Sequence, residues 1–359
     1  MPWDKEKTAS LLREMQTLVP GEIRLMEVCG THTMSIAEAG IKSMLPKEVK
    51  LLSGPGCPVC VTPPQVIDAV LELSMEKDVI VTSYGDMLRV PGSKAGDSLL
   101  RRKALGAKVE TVYSPVDAVE IALNSPGKQV VFLGVGFETT APGTAAAVLT
   151  AQEKGAKNFS LWSMLKMVEP ALRTLIAMDG FNVDGFLCPG HVATIIGADG
   201  FAFLPQDYKL PAVIAGFEPE DILLAVFRLV KQLAEKSPSL ENEYTRAVSQ
   251  SGNLLAQKIM KQCFEERFDV WRGLGGIEAS GLGLCGELKD FDAERRFQIK
   301  YASSEPPTAC CCGEVITGRL SPELCPMFGK ACTPEDPVGP CMVSSEGACA
   351  AAWKYAEIL

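Results

Sequence analysis

The sequence predicts an α/β protein in which two blocks of mostly parallel sheet precede a helical, loop-rich segment crowded with cysteine. Three observations carry this. Short apolar runs alternate with helix-period segments from about residue 20 to 240, the rhythm of buried parallel strands joined by crossover helices. Seven of the 13 cysteines fall after residue 309, in a Pro- and Gly-rich stretch with little apolar periodicity. Finally, Cys29, Cys57, Gly134–Thr140 and Cys188–His191 all stand at expected strand ends, where ligands collect in open α/β sheets. Four such motifs on one edge predict a shared cleft.

The elements follow in order. MPWDKEKTASLLREMQ reads as an amphipathic helix rather than a signal peptide. Ile23–Val28 is a strand ending at Cys29, with helical pattern from about Met34. Val49–Ser53 is a strand closed by the turn Gly54–Pro55–Gly56. Pro63 and Pro64 suit a first helical turn, and Val66–Met75 carries helix-period apolar residues. Asp78–Thr82 and Ala107–Tyr113 are strands, and Pro115–Leu123 is a helix. Gln129–Leu133 is an apolar strand running into Gly134-Val135-Gly136, and Ala141–Ala151 is a helix. The rhythm then repeats: strand Phe159–Ser163, helix Val168–Met178, strand Gly185–Leu187, strand Ala212–Ala215 and the long helix Asp221–Ala234. From about 240 the pattern is helical, and after Leu274 it is loop-rich. The expected division is two Rossmann-like parallel-sheet domains, 20–135 and 136–240, followed by a helical, Cys-rich domain over 241–359 with 1–19 packed on it.

Composition narrows the function. The formal net charge is −9, and no Lys/Arg cluster is interleaved with aromatics, which argues against nucleic-acid binding and makes the charge a solubility feature. No apolar run is long enough to span a bilayer, so no membrane partner is expected and the protein is expected in the cytoplasm. In a reducing compartment this much cysteine points to metal and redox chemistry rather than a disulfide framework.

The cysteine segment CCCGEVITGRLSPELCPMFGKACTPEDPVGPCMVSSEGAC needs a staple to hold one shape. Its wide, irregular spacings at Cys312, Cys325, Cys332 and Cys349 lack the paired hooks of a zinc ribbon. An iron–sulfur cluster suits them better than structural zinc or disulfides. In CGTHT, Cys29 is either a nucleophile or soft-metal ligand, its thiol pKa lowered by His32 or a helix start, or a buried cysteine beside a capping threonine. GPGCPVC places Cys57 and Cys60 in a CxxC on a strand-to-helix turn, and a redox pair is favoured there over two metal ligands. GVGFETTAP lacks the third glycine of a dinucleotide fingerprint and the GK[ST] of a P-loop. Glu138, Thr139 and Thr140 at a helix start either hold an anion or a partner backbone, or merely cap a tight turn. His191 of CPGHV is a metal ligand, an acid/base group or a satisfied loop histidine. Cys263 and Cys285 carry no motif and read as packing residues.

Together the stretches MEVCGTHT, LLSGPGCPVC, TSYGDMLRVPGS, GFETTAPGTA, CPGHV, AGFEP, WRGLG, CCCGEV and CTPEDPVGPCMVSSEGACAA resemble one family, the hydrogenase maturation factor HypD, over nearly the whole chain. The resemblance implies a scaffold with redox function for assembling the Fe(CN)2CO unit of NiFe hydrogenase, more than a turnover enzyme. It implies a HypC-like chaperone and a HypE-like cyanide carrier as partners, and a 4Fe–4S cluster as cofactor. Carried over by motif, Cys29 is the thiolate that meets the iron of the Fe(CN)2CO unit, and Cys57 and Cys60 are the redox-active pair. Cys325, Cys332 and Cys349 are cluster ligands, with Cys312 as the fourth and Cys310 as its alternative. Cys311 is an extra in the CCC run, and Cys341 matches a family cysteine without being a ligand. Cys29 is expected to be solvent-accessible in a cleft with His32, Glu138–Thr140 and His191 nearby. Two other readings stand beside this one: a stand-alone iron–sulfur or thiol–disulfide oxidoreductase acting on a small molecule, and an interaction platform whose cluster is structural only.

Overall fold

The structure is a computed structural model that describes residues 5–94, 96–301 and 309–355. In chain order its strands are β1 (Ile23–Glu27), β2 (Val49–Ser53), β3 (Val79–Ser83), β4 (Lys108–Thr111), β5 (Gln129–Gly136), β6 (Phe159–Leu165), β7 (Gly185–Pro189), β8 (Ala212–Ala215), β9 (Leu240–Asn242), β10 (Phe264–Trp271) and β11 (Gly275–Leu284). They form a sheet of order β2-β1-β7-β8-β9, a sheet of order β4-β3-β5-β6, and the hairpin β10-β11. Every pairing in the first two sheets is parallel. The expected class, two Rossmann-like parallel sheets with a loop-rich C-terminal region, is the observed one. β3, β6 and β7 are buried along their whole length, as strands with both faces covered must be.

Each parallel sheet reverses its strand order once. The chain steps outward from β1 to β2, then later from β7 to β8 and β9, so β1 and β7 flank a switch point. In the second sheet the corresponding neighbours are β3 and β5. The sheets cut across the blocks 20–135 and 136–240. β3 to β6 are consecutive and form one sheet, while β7 to β9 return to complete the first. The return is held by contacts that local pattern does not encode, such as Arg24 N donating to Asp184 Oδ2 at 2.7 Å across 160 residues.

Three further expectations are corrected. Helix Lys5–Leu18 packs on helix Pro219–Glu235 of the first sheet, not on the cysteine segment; its Met15 is buried in a cluster with Leu25, Val213 and Ile222. The helix after Cys29 begins at Gly30, not near Met34. Gly30, Thr31 and Thr33 are weak helix formers, and the start is set by tertiary contacts described below. Beyond 240 the region holds helix Leu254–Cys263 but also the long hairpin β10-β11. FEERFDVW has polar residues on both faces, which masks its period. The hairpin is docked by a buried ion pair: Lys166 Nζ at the end of β6 donates to Asp269 Oδ2 at 2.8 Å and to Val270 O at 3.0 Å. No helix among the described residues is long and apolar enough to cross a membrane.

Candidate functional site

All five strands of the first sheet deliver a residue to one carboxyl edge. Cys29 follows β1, Cys57 follows β2, His191 follows β7, Phe217 follows β8, and Tyr244 lies just past β9. Phe217 is the centre of a ring stack. The His191 ring lies 3.8 Å from it and the His32 ring 4.8 Å, both roughly parallel. Tyr244 meets it edge-on at 5.8 Å. The two histidines singled out by their scarcity are therefore brought together, by a phenylalanine that sequence reasoning passed over. Its signal was AGFEP, another glycine motif directly after an apolar strand.

His32 is fully buried, and its Nε2 donates to Gly216 O at 2.9 Å. Its Nδ1 has no protein partner. Burial pushes its pKa down to about 4, so the ring is neutral near pH 7. It supplies no positive charge to lower the thiol of Cys29. Cys29 is 7% exposed, buried where a solvent-accessible thiol was expected. Burial pushes its pKa up to about 12; the backbone N–H of His32 opposes this, and Glu346 and Glu27 add to it. Glu27 is a residue the sequence reading missed. It is buried, accepts from Cys29 N at 3.0 Å and from Thr33 Oγ1, and burial pushes it up to about 7. An acid directly after the apolar pair Leu25-Met26 at the strand's end was the available signal.

Cys57 and Cys60 are joined as a disulfide, with Cα atoms 5.2 Å apart. Cys60 N donates to Cys57 Sγ at 3.1 Å. The turn meets the CGTHT turn backbone to backbone, where Gly30 N donates to Gly56 O at 3.0 Å. A Cβ on Gly56 would fall 2.2 Å from Cys29 N, so only glycine allows this approach. From the other side Arg272, at the hairpin tip, donates from N to Val61 O at 2.7 Å and from Nε to Thr62 O at 3.1 Å.

One loop of the cysteine segment reaches both turns. Ser344 Oγ lies 3.4 Å from Cys57 Sγ and 3.3 Å from Asp86 Oδ2. Ser345 donates to Asp86 Oδ2 from N at 2.8 Å and from Oγ at 2.7 Å. Glu346 Oε1 accepts from Thr31 Oγ1 at 3.2 Å, beside Cys29. Asp86 follows β3, at the switch point of the second sheet. Asp86, Ser344 and Glu346 were not singled out, although TSYGDMLRVPGS and CMVSSEGAC contain them.

The remaining motif residues stand apart. Glu138 follows β5 and faces inward: its Oε1 accepts from Val168 N at 2.8 Å, its Oε2 has no partner, and burial pushes its pKa up to about 7. Thr139 is exposed, and Thr140 precedes helix Ala141–Glu153 without a side-chain cap bond. No hydrogen bond or ion pair joins Glu138–Thr140 to Cys29 among the described residues; Glu138 follows a strand of the second sheet and Cys29 one of the first. Cys188 is fully buried within β7.

Cys310, Cys312, Cys325, Cys332 and Cys349 line one small pocket walled by Met327, Phe328 and Met342. Gly339 abuts two of the sulfurs: a Cβ there would lie 2.5 Å from Cys312 Sγ and 2.8 Å from Cys310 Sγ. Burial pushes the Cys349 thiol up, and Cys312, Cys332, Cys310 and Cys325 around it push the same way. Cys311 and Cys341 do not line the pocket. The described residues hold no group of three or more His, Cys, Asp or Glu arranged for one metal ion. Five thiols with apolar walls are donors that could hold either a soft metal ion or an iron–sulfur cluster.

Comparison with known proteins identifies the family. Residues 6–356 match the HypD family, described as the hydrogenase formation hypA family. The chain belongs to the HypD family. It is 45% identical over 341 residues to the hydrogenase maturation factor HypD of Azotobacter vinelandii, covering 93% of this chain and 89% of that one. It is 44% identical over 336 residues to HypD of Escherichia coli (93% and 90% covered) and 43% identical over 338 residues to HypD of Rhodobacter capsulatus (93% and 89%).

Proposed function

We propose that this HypD-family chain is a redox-active scaffold on which the Fe(CN)2CO unit of NiFe hydrogenase is assembled in the cytoplasm. It works with a HypC-like chaperone and receives cyanide from a HypE-like carrier. The observation that carries the reading is the Ser344–Glu346 loop, which ties the cysteine pocket to both Cys57 and the Cys29 turn. Cys29 is the thiolate offered to the iron cargo, since low-spin iron carrying cyanide and CO favours soft sulfur donors. Its high pKa means that iron must displace a proton when it binds. The unpartnered Nδ1 of His32, in the helix that follows Cys29, is a further donor held neutral by burial.

Cys325, Cys332 and Cys349, with Cys312 or Cys310 as the fourth, would hold a 4Fe–4S cluster. Such a cluster supplies one-electron transfer when bound. The Cys57–Cys60 disulfide stores two electrons when opened. The second reading, an oxidoreductase acting on a small molecule, is favoured by one observation: a cavity of about 490 Å³ bordered by Thr62 and Lys166. No cysteine lines it, and its cations Lys166 and Arg267 are already paired with Asp269 and Glu294.

Infrared spectroscopy of the protein purified anaerobically with its chaperone tests the scaffold reading. Cyanide and CO stretching bands are expected in the wild type and absent in Cys29→Ala, with the fold and the iron of the cysteine segment retained. A wild type without bands sinks the scaffold reading. Bands at full intensity in Cys29→Ala move the iron elsewhere.

A further inference from the structure

We propose that Ser344 is the hydrogen-bond donor that stabilises Cys57 as a thiolate once the Cys57–Cys60 bond is opened, and that Asp86 positions it. The inference rests on the redox reading of that pair. Ser344 is 1% exposed, so no bulk water competes for its hydroxyl. That hydroxyl has one proton and two neighbours able to accept it, Cys57 Sγ at 3.4 Å and Asp86 Oδ2 at 3.3 Å. It also accepts from Glu346 N at 3.2 Å, which fixes the oxygen but leaves the proton free to rotate.

A disulfide sulfur is a weak acceptor and a carboxylate a strong one, so in the oxidised state the proton points to Asp86. On reduction the sulfur gains charge and competes for it, because hydrogen bonds to ionised acceptors are about twice as strong. The balance is complete with an external dithiol. Its two S–H groups and the protein disulfide become a cyclic reagent disulfide, the Cys57 thiolate, the Cys60 thiol and one proton released to solvent. The Cys57–Cys60 bond breaks, the reagent's S–S bond forms, and the two electrons pass from reagent to protein. Cys57 Sγ then accepts from Cys60 N and from Ser344 Oγ together.

Asp86 keeps Ser344 in place through the neighbouring residue, accepting from both N and Oγ of Ser345. The arrangement joins three parts of the molecule: the loop after β2, the loop after β3, and the cysteine segment between Cys341 and Cys349. Opening the disulfide therefore changes a hydrogen bond of the same loop that touches Thr31 beside Cys29.

The test is a redox titration of the full-length protein under anaerobic conditions, using oxidised and reduced dithiothreitol and reading Cys57 and Cys60 by mass-spectrometric thiol labelling. Ser344→Ala is expected to shift the dithiol–disulfide equilibrium about tenfold toward the disulfide, a midpoint lower by about 30 mV for a two-electron couple. Ser345→Ala removes one of the two bonds by which Asp86 holds the loop but leaves the Ser344 hydroxyl in place, and its midpoint is expected to shift in the same direction by clearly less than that of Ser344→Ala. Equal shifts in both variants mean that loop packing, not the hydroxyl, sets the potential, and overturn the proposal. A wild type that titrates normally beside an unshifted Ser344→Ala overturns the proposal alone. A wild-type pair that never cycles overturns the redox reading as well.

Discussion

Around Cys29 and Cys57 the backbone is bonded across the fold before any ligand arrives, whereas around Cys325 and Cys332 the bonds are turns within a few residues. Gly30 N reaches Gly56 O and Arg272 N reaches Val61 O, joining segments far apart in the chain; Cys332 N reaches only Met327 O, and Gly329 N only Cys332 O. The first region is the edge of a buried parallel sheet with apolar residues beneath it. The second spans short 3-10 turns and loops, and its thiols gather round one small pocket. Sheet-edge cysteines are positioned by the fold. Loop cysteines must help position the fold, so ligation of the proposed cluster there would be folding energy.

The largest expected effect follows directly. Removing iron with a chelator, or replacing Cys349 by Ala, is expected to strip hydrogen-exchange protection from residues 310–349 while β5 and β7 keep theirs. The local loss should reach several kcal/mol, the scale on which structural metal sites hold small loop-rich units. The Ser344 and Glu346 contacts should loosen with it. Protection that stays uniform in the iron-free protein breaks the contrast between the two regions.

Next in size is the pH response of the sheet edge. Glu27 is raised from 4.5 to about 7 by burial, so the folded state keeps a proton that the unfolded chain releases. Its contribution is whole below pH 4.5 and lost as pH rises through about 7. His32 is depressed from 6.5 to about 4. Its contribution is whole above pH 6.5 and lost as pH falls through about 4. The two oppose each other between pH 4.5 and 6.5, which flattens the wild-type profile there. Glu27→Gln removes one arm. It is expected to be more stable than wild type at pH 8, with most of that advantage, about 3 kcal/mol, gone by pH 5. Paired thermal melts across that range check it; an advantage independent of pH would mean that Glu27 is not buried as a neutral acid.

A smaller effect belongs to the disulfide. Closing so short a loop constrains the unfolded chain by only about 2 kcal/mol in the chain-entropy account. Cys60→Ser should therefore lower stability by about that much under oxidising conditions and nearly nothing in excess dithiol, as denaturant unfolding with and without the reductant can show. A loss that persists in dithiol would show packing of Cys60, which is fully buried, rather than the bond.

The sequence made this contrast partly visible. Val79–Ser83, Gln129–Gly136 and Ala212–Ala215 are runs so apolar that a strand buried on both faces was the natural reading, and the motifs after them fell on strand ends as expected. The pairing of β7 beside β1 was invisible, because nothing local in Gly185–Pro189 says that Leu25 lies next to it. The burial of Cys29 was hidden for the same reason: the Gly56 turn and Glu346, which lie against the CGTHT turn, come from distant parts of the chain. FEERFDVW concealed a strand because Glu265, Glu266, Arg267 and Asp269 interrupt its alternation, and Arg267 and Asp269 are spent on bonds to Glu294 and Lys166. Phe217 and Ser344 are common residues in odd motifs, and only the fold shows which partner each one meets.

The smallest effect separates the three consecutive cysteines. Cys310 and Cys312 line the thiol pocket, and both sulfurs crowd Gly339. Cys311 lies between them in sequence but does not line the pocket; its Sγ lies 4.0 Å from Ala309 O and interacts with Cys325. Cys311 is the N-cap of the short helix Cys312–Ile316, and its side chain stands outside the pocket that Cys310 and Cys312 line. Cys311→Ala is therefore expected to keep full iron content, an unchanged melting temperature and wild-type exchange protection over 310–349. Cys310→Ala and Cys312→Ala, measured beside it, should differ from each other: the one that loses iron is the fourth ligand, and the other is a spectator in the same pocket. If Cys311→Ala loses iron while both neighbours keep it, Cys311 is the fourth ligand and the assignment to Cys310 or Cys312 is overturned.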